Sequence, residues 1–515
     1  MNQNNISAAE LFLRVRELLI LPELEPKTRN KMMHDTLILC CHEGVKETKQ
    51  AFGNLFSQVD YLCKAHGIKV ADKIAIQTMR RHSNSQEPLS SEDLKYDARA
   101  LAIFISAVFG VDVPHELNVL IPHTNRPYQK GLEINNRRIR CIVKNWDSDF
   151  IRVDIDQDAD EEEYLVQLKD EENHIDHTYL WDILKEGMQL NLLDCQVKQP
   201  VITPRLIVVE PDYLVDISSI ATCFTAFGHH PLLYLLNQMK PRANTQATLL
   251  GNFAGAALDD IINTNGKYQM NETIKTNFRE KALEFCTCPW FDAKKFYTDA
   301  NQQAFNLQQV VDILFPRTAS QAQMSAFRGE SLYDRKKAIL EPSFVCEALG
   351  IQGRVDLMTT DCKLLVEQKS GRNMNIETHQ VDPGYHSYQL EPHYVQLLLY
   401  YGVLQHNFKL SNDRVNIRLL YSKYQPQDGL MVVAYYQKLF KEAIEYRNQL
   451  VAASFEIAKE GFEHALNEFT PEVLNVAGTQ DFFYNKYLKP QIEAITKPLH
   501  NLTPLEEAYF CRMMT

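Results

Sequence analysis

The sequence of 515 residues contains no apolar run approaching the ~20 residues that a membrane-spanning helix requires. It also lacks the pattern of a secretory signal, because its first residues, MNQNNISAAELF, include no basic segment followed by an apolar one. A cysteine framework is missing as well: the eleven cysteines are scattered, and Cys286 and Cys288 have the wrong spacing for a zinc knuckle. We therefore predict a cytoplasmic protein with reduced thiols and no membrane partner.

Two further absences narrow the function. The motif G-x-x-x-x-G-K-[ST] does not occur, so the chain contains no recognisable P-loop ATPase. An excess of positive charge is also missing, since the net charge is −12. Contact with nucleic acid would therefore depend on a local basic groove and not on the field of the whole protein.

The composition is that of a folded protein, with 45% hydrophobic and 23% charged residues. The length predicts roughly three or four domains. Residues 1–128 have apolar positions at helical spacing, with a first helix capped by Ser7 and further helices around Asp35–His66, Val70–Arg81 and Ser91–Phe109. We predict a helical domain over this part of the chain.

An alternation of apolar and polar residues replaces the helical period in residues 129–202. Two antiparallel strands are predicted to join at Asn145–Asp149, and several more short strands follow. This set favours a small β-barrel of the OB type, a fold that often binds single strands. A barrel that serves only as a structural spacer is the alternative, and the acidic run Asp158–Glu163 argues against a strong nucleic-acid surface.

The stretch from Leu349 to Arg372 has the pattern of a β-hairpin. Two apolar-rich runs, Gly353–Met358 and Lys363–Lys369, flank the polar tetrad Thr359–Cys362. Because side chains alternate along a strand, each run presents one set of residues to each face of the sheet. The stretch is therefore predicted to place charged side chains together on one face.

Three charged residues converge in this predicted hairpin. Glu367 and Lys369 share a face of the second strand, and Asp356 in the first strand lies opposite Glu367. Burying two carboxylates is costly unless their charge is compensated, and a divalent cation held by oxygen ligands would compensate it. The alternative is a surface hairpin that carries a solvated ion pair.

Asp356 followed by Glu367-Gln368-Lys369 resembles the D…(D/E)-x-K signature of the PD-(D/E)xK nucleases. Gln396 and Tyr400, in HYVQLLLYYGVL, resemble the Q-x-x-x-Y motif of the RecB-like branch of that superfamily. The upstream segment RLIVVEPDYLVDISSIATCF is similar to the start of the nuclease part of bifunctional DNA helicase–nucleases. The resemblance implies an α/β, multidomain chain with a mixed sheet flanked by helices over residues 203–425 and a helical region over residues 426–515.

The resemblance also implies roles for individual residues. Mg²⁺ or Mn²⁺ would be held by oxygen atoms, the metal would polarise the scissile phosphate, and a lysine would orient water or stabilise charge on the phosphate. The residues expected in these roles are Asp356, Glu367, Gln368 (through its main-chain carbonyl) and Glu341 at the metal, Lys369, Gln396 and Tyr400 in catalysis, and Arg372, His386 and His393 on DNA.

The sequence departs from the family pattern in two places. The helix expected to carry a metal-binding histidine, TLLGNFAGAALDDIIN, contains none, and either Asp259 or Asp260 is a candidate replacement, or the position is unused. Cys223 stands at the first cysteine position of the iron–sulfur subgroup, but the three downstream cysteines are missing, since Cys511 is the only cysteine after Cys362. No iron–sulfur cluster is therefore expected.

The function implied is a metal-dependent DNA nuclease that acts on single-stranded ends or flaps in DNA repair, replication or defence against foreign DNA. A helicase is the expected partner, either as a separate subunit or as the continuation of the chain. A nuclease fold that has lost its catalytic site and serves as a DNA-binding or assembly module is the alternative. A pure scaffold is a third possibility.

Overall fold

The structure is a computed structural model, and it shows a mixed α/β chain made of helices and several sheets. The chain divides into two compact units, Met1–Tyr213 and Leu214–Thr515, which are described separately. The structure describes residues 6–21, 24–47, 55–84, 88–126, 138–155, 163–170, 175–225, 228–239, 244–264, 267–327, 331–380, 388–410, 415–468, 470–473, 482 and 484–515. Most of the acidic run Asp158–Glu163 lies outside these residues.

The first unit begins with helices that bury one apolar face each. Ser7 caps the first helix as predicted, because its hydroxyl accepts a hydrogen bond from the Glu10 N–H. The predicted helix around Asp35–His66 is instead two helices with a break after Gly44. The helices are α1 (Ala8–Ile20), α2 (Pro26–Gly44), α3 (Leu55–Ala65), α4 (Val70–Asn84), α5 (Ser91–Phe109) and α6 (His115–Asn118).

A seven-stranded sheet fills the rest of the first unit, in the order β7-β8-β3-β2-β1-β6-β9. Its strands are β1 (Arg138–Trp146), β2 (Phe150–Ile155), β3 (Tyr164–Gln167), β6 (Gln189–Leu193), β7 (Gln196–Lys198), β8 (Val201–Thr203) and β9 (Leu206–Val209). The two-residue strands β4 (Lys169–Asp170) and β5 (Ile175–Asp176) pair separately, and a 3-10 turn spans Thr178–Asp182. The first two strands pair as predicted, but the predicted boundary after residue 202 falls inside this sheet.

The second unit contains a five-stranded sheet, β13-β16-β17-β18-β19, a three-stranded sheet, β10-β15-β14, and a two-stranded one. Its strands are β10 (Val215–Asp216), β11 (Phe224–Thr225), β12 (Gly228–His229), β13 (Ala338–Leu340), β14 (Ser343–Cys346), β15 (Ile351–Arg354), β16 (Leu357–Thr359), β17 (Leu364–Lys369), β18 (Asn416–Tyr421) and β19 (Leu430–Val432). Since β19 belongs to the larger sheet, the predicted boundary after residue 425 also falls inside a sheet.

Helices cover both faces of the five-stranded sheet. Leu364, Val366 and Leu420 face a core built with α9 and α12, whereas α15 lies against β17 and β18 from the other side. The helices are α7 (Ile217–Ala221), α8 (Leu232–Met239), α9 (Gln246–Asn263), α10 (Met270–Glu280), α11 (Ala282–Thr287), α12 (Ala293–Leu314), α13 (Ala319–Phe327), α14 (Met374–Thr378), α15 (Glu391–Phe408), α16 (Pro426–Gly429), α17 (Gln437–Glu460), α18 (Phe462–Leu466), α19 (Lys489–His500) and α20 (Pro504–Met514), with a 3-10 turn at Arg335–Lys337 and a π-helical turn at Tyr484–Leu488. None of the described helices has both the length and the apolar character that a membrane crossing needs.

The strand predicted over Gly353–Met358 is interrupted, so the simple hairpin predicted from the sequence is wrong. Its first part, β15, pairs in the three-stranded sheet, and its second part, β16, pairs in the five-stranded sheet. The partner strand breaks at the same level, because Pro342 has no N–H to donate and Glu341 has a φ of 48°. Asp356 therefore lies at the bend between two sheets and not within a strand.

The packing of α15 against α17 generates the first prediction. A Cβ atom at Gly402 would overlap the ring of Phe440, whereas a Cβ at Gly255 in α9 would meet nothing within 4 Å. We expect Gly402→Ala to destabilise the protein by about 1–3 kcal/mol through overpacking. The matched change Gly255→Ala should be neutral or stabilise by up to ~1 kcal/mol, because alanine costs less backbone entropy in a helix. Scanning calorimetry of both variants checks this, and equal effects would contradict it.

Candidate active site

Three of the residues predicted for catalysis meet between β17 and α15. Glu367 is only 3% exposed, and its Oε1 atom lies 2.7 Å from the Lys369 ammonium. The same ammonium donates a hydrogen bond to Oε1 of Gln396 at 2.8 Å. Alternation along β17 explains the arrangement, since the odd-numbered residues at its end face α15.

Asp356 approaches the end of β17 from the bend between the two sheets. Its Oδ2 atom accepts a hydrogen bond from the backbone N–H of Gln368 at 2.5 Å. The carbonyl of Lys369 points the other way, to the N–H of Ser422 beyond β18, at 2.9 Å. Because the N–H and C=O of one strand residue point to the same side, the Gln368 carbonyl is directed toward Asp356. The structure thus brings together Asp356, Glu367 and the Gln368 carbonyl, three of the four groups predicted to supply oxygen ligands.

The carboxyl group of Glu367 is buried, and Asp356 is partly buried. Burial, reinforced by the charge of Asp356, raises the pKa of Glu367 to about 8, although Lys369 opposes the shift. Burial also raises the pKa of Asp356. The second oxygen of Glu367, Oε2, is buried without a hydrogen-bond partner among the described residues. An oxygen-binding cation would satisfy that atom and lower both pKa values.

Asp259 on α9 interacts electrostatically with the acidic groups of the site. Burial raises its pKa to about 6, with repulsion from Glu341 and Asp356 adding to the shift. Asp260 is instead engaged by the Thr273 hydroxyl, which donates to its Oδ2 at 2.5 Å. Of the two candidates to replace the missing histidine, Asp259 is therefore the one whose carboxyl group interacts with the charges of the site. The end of α9 is fixed by Arg335, whose Nε donates to the carbonyl of Ile262 at 2.6 Å.

Glu341 lies beside Asp356 but has another partner. Its backbone N–H donates to the carbonyl of Asp356 at 3.0 Å. Its carboxylate forms an ion pair with Arg354 at 3.0 Å, and both side chains are largely exposed. Glu341 therefore lies next to the site, as the sequence predicted, but its carboxylate is directed to Arg354.

The Q-x-x-x-Y pair supports the site from α15. Gln396 contacts Lys369 directly, whereas Tyr400 is 3% exposed and donates its hydroxyl to the carbonyl of Arg354 at 2.6 Å. A Cβ at Gly353 would lie 2.9 Å from the Tyr400 ring, so the glycine allows the close contact. Tyr400 therefore holds the end of β15.

The three residues predicted to contact DNA have different surroundings. Burial and the neighbouring Lys369 lower the pKa of His393 to about 4, and its Nδ1 atom lies 3.0 Å from the Tyr421 hydroxyl. A neutral imidazole offers no positive charge to a phosphate, so a contact of His393 with DNA would be a hydrogen bond and not an ion pair. Arg372 is exposed and forms an ion pair with Glu377. His386 lies outside the described residues.

A buried polar network lies behind the site, and the sequence did not predict it. Gln368 donates through Nε2 to the Ser422 hydroxyl at 2.9 Å, and that hydroxyl donates to Gln303. Asn306 donates to the carbonyl of Ser422 at 2.9 Å, and Gln303 donates to the carbonyl of Ser370 at 3.0 Å. These bonds fix the ends of β17 and β18. The available signal was a pair of amides three residues apart on the apolar face of α12.

The kinds of donor atom at the site are those that bind a metal ion. No three His, Cys, Asp or Glu side chains of the described residues are gathered closely enough to form a complete ligand group. The oxygen donors of Asp356, Glu367 and Gln368, the raised carboxyl pKa values and the unpartnered Oε2 of Glu367 fit a hard divalent cation. Cys223 is fully buried, and burial raises the pKa of its thiol to about 12.

Compared with known proteins, the chain matches no model of a protein family, and no curated protein shows significant sequence similarity to it.

The raised pKa of Glu367 generates a prediction about pH. An acid whose pKa is about 8 when folded and 4.5 ordinarily costs stability once it ionises, and the cost grows as the pH rises between these values. In metal-free buffer, Glu367→Gln should therefore be more stable than the wild type by about 2–4 kcal/mol at pH 8, with little difference near pH 4.5.

Calorimetry in EDTA across this pH range measures the difference. The matched control is Glu493→Gln, which changes a partly exposed glutamate paired with Lys497. Its pKa is lowered by the lysine, so the control should show no gain at high pH. A Glu367→Gln variant that is no more stable than the wild type at pH 8 would refute the raised pKa of the buried Glu367.

Proposed function

We propose that this chain is a metal-dependent deoxyribonuclease that hydrolyses phosphodiester bonds, with a core of the PD-(D/E)xK type in the second unit. One observation carries the proposal. Glu367, Lys369 and Gln396, which are separated in sequence, are joined by hydrogen bonds, and Asp356 is bonded to the residue between the first two. An ordinary surface ion pair would require neither the burial of Glu367 nor the amide behind the lysine.

Asp356, Glu367 and the carbonyl of Gln368 would hold Mg²⁺ or Mn²⁺, with Asp259 as a further carboxylate near them. When bound, the ion would polarise the scissile phosphate and lower the pKa of water. Binding requires ionised carboxylates, so it is coupled to loss of the proton that Glu367 holds below its raised pKa. The affinity for the ion is therefore expected to increase with pH.

Lys369 supplies the fixed positive charge. Its ammonium has three donors, of which one is used by Glu367 and one by Gln396. The third has no bond to the described residues, and it would bond a phosphate oxygen or the attacking water. Gln396 and Glu367 hold the ammonium in place, which removes the entropy cost of positioning a long side chain during the reaction.

The substrate is proposed to be DNA with single-stranded ends or flaps, and a helicase is the proposed partner. Support comes from the resemblance to helicase–nucleases and from the absence of a P-loop in this chain. In the first unit, the seven-stranded sheet is proposed to be an OB-like barrel that either binds single strands or acts as a spacer.

A nuclease fold without activity, serving as a DNA-binding or assembly module, is the second candidate. Two observations favour it: the helix α9 has no histidine, and the described carboxylates do not form a complete ligand group. The hydrogen-bonded Lys369 argues against it, because a module that only binds would not need this lysine fixed beside two carboxyl groups.

A cleavage assay separates the two candidates. End-labelled single strands, flaps and blunt duplexes are incubated with the purified chain and with Mg²⁺, Mn²⁺ or EDTA. We expect metal-dependent cleavage that is much faster on single strands and flaps, because unpairing a duplex costs ~1.4 kcal/mol per step. Binding without cleavage in either metal would favour the inactive module, and rapid digestion of long blunt duplexes would contradict the need for a helicase.

Substitution of the central residues tests their roles. Asp356→Ala and Lys369→Ala should each reduce cleavage by ~10³-fold or more, equivalent to about 4 kcal/mol of transition-state stabilisation. Both variants should still fold, and their DNA binding should change little. If either variant cleaves at the wild-type rate, the assignment of the active site is wrong.

The two neighbouring aspartates of α9 form a matched pair. Asp259→Asn should raise the Mg²⁺ concentration needed for half-maximal activity by about tenfold, because a carboxylate near the ion is lost. Asp260→Asn should leave it unchanged, since that side chain bonds Thr273. A titration of activity with Mg²⁺ compares them. Equal responses would remove Asp259 from the site.

A further inference from the structure

A cluster of exposed charges adjoins the proposed active site. Arg372 forms an ion pair with Glu377, and Lys423 lies 3.3 Å from the same carboxylate. The Tyr424 hydroxyl is 2.9 Å from Glu377 as well. The side chains of Arg372 and Lys423 are 61% and 44% exposed, so one carboxylate holds two cations that face water.

The topology places this cluster at the edge of the sheet that carries Lys369. The strands β17 and β18 are parallel, with Lys369 paired to Tyr421 at their last residues. Arg372 follows the end of β17 and Lys423 follows the end of β18. Since the carboxyl ends of parallel strands meet at one edge, the two cations lie beside the proposed active site.

The cluster is held by buried contacts. Asn373 is fully buried, caps α14 through its side chain, and donates its N–H to the Tyr424 hydroxyl at 2.8 Å. Its Nδ2 atom also donates to the carbonyl of Tyr388 at 2.8 Å. These bonds fix the Tyr424 hydroxyl and anchor the backbone next to Arg372.

A phosphodiester has the features that this cluster recognises. Like a carboxylate, it carries one negative charge shared by two oxygen atoms, and it accepts hydrogen bonds from arginine, lysine and tyrosine. Exposed ion pairs are weak, so a phosphate can displace the Glu377 carboxylate. In a chain with a net charge of −12, two cations together at this edge supply the local positive charge that a strand requires.

We propose that Arg372, Lys423 and Tyr424 form a binding site for a backbone phosphate of the substrate strand, and that Glu377 occupies this site until a strand displaces it. The inference rests on the proposed nuclease function and adds a substrate contact outside the cleavage site. Glu377 thereby weakens binding of the strand, and its removal strengthens it.

The test measures binding of a fluorescein-labelled single-stranded oligonucleotide by anisotropy, with Ca²⁺ in place of Mg²⁺ and with the oligonucleotide checked for integrity. Glu377→Gln should bind about three- to tenfold more tightly than the wild type. The double variant Arg372→Gln, Lys423→Gln should bind about tenfold more weakly, and the slope of log affinity against log salt should fall by ~0.7 for each lost phosphate contact. DNA and RNA oligonucleotides of one sequence should respond alike, because both carry the phosphodiester.

The matched control is Glu493→Gln, which frees Lys497 elsewhere on the same unit and should leave binding unchanged. A cluster that only stabilises its loop predicts the opposite result, namely equal or weaker binding by Glu377→Gln. That outcome, with wild-type binding and cleavage intact, overturns this inference and leaves the proposed function standing. If neither the wild type nor Glu377→Gln binds either oligonucleotide, both fail. Should the double variant not fold, the sign of the Glu377→Gln effect decides.

Discussion

The burial of the Glu367 carboxyl group beneath α15 is the constraint on which the proposed site depends. A carboxylate in this position is costly, and the surrounding residues reduce the cost only in part. Lys369 neutralises one oxygen, whereas the other has no partner among the described residues. Much of the local architecture supports this arrangement, from the amide of Gln396 to the network behind β17. A site with a buried and incompletely neutralised carboxyl group is suited to bind a cation, because the cation would supply the missing positive charge.

The sequence was sufficient for features that depend on local periodicity. Alternation along β17 predicted that Glu367 and Lys369 share a face, and the spacing of Gln396 and Tyr400 predicted one helix. Asp356 was misplaced within a strand, because the bend there depends on Pro342 in the partner strand. Periodicity within one segment carries no information about such a partner.

The choice between Asp259 and Asp260 was beyond the sequence for a related reason. The two residues are adjacent, and which one senses the site depends on how α9 docks and on the distant Thr273. The network of Gln303, Asn306 and Ser422 joins residues far apart in the chain. Buried amides on an apolar helix face indicate that partners exist, but only the tertiary structure identifies them.

The connection from β17 through α15 to β18 has a consequence for how the site is assembled. Glu367, Lys369 and Gln396 lie within one continuous segment that forms two parallel strands and, between them, the helices α14 and α15. Closing this segment costs little chain entropy compared with bringing in α9, which precedes it by a long stretch of sequence. The lysine-bearing half of the site is thus encoded by one short region of the gene. The proposed acidic complement, Asp259 on α9, comes from a distant part of the chain, so its contribution depends on how α9 packs against the sheet.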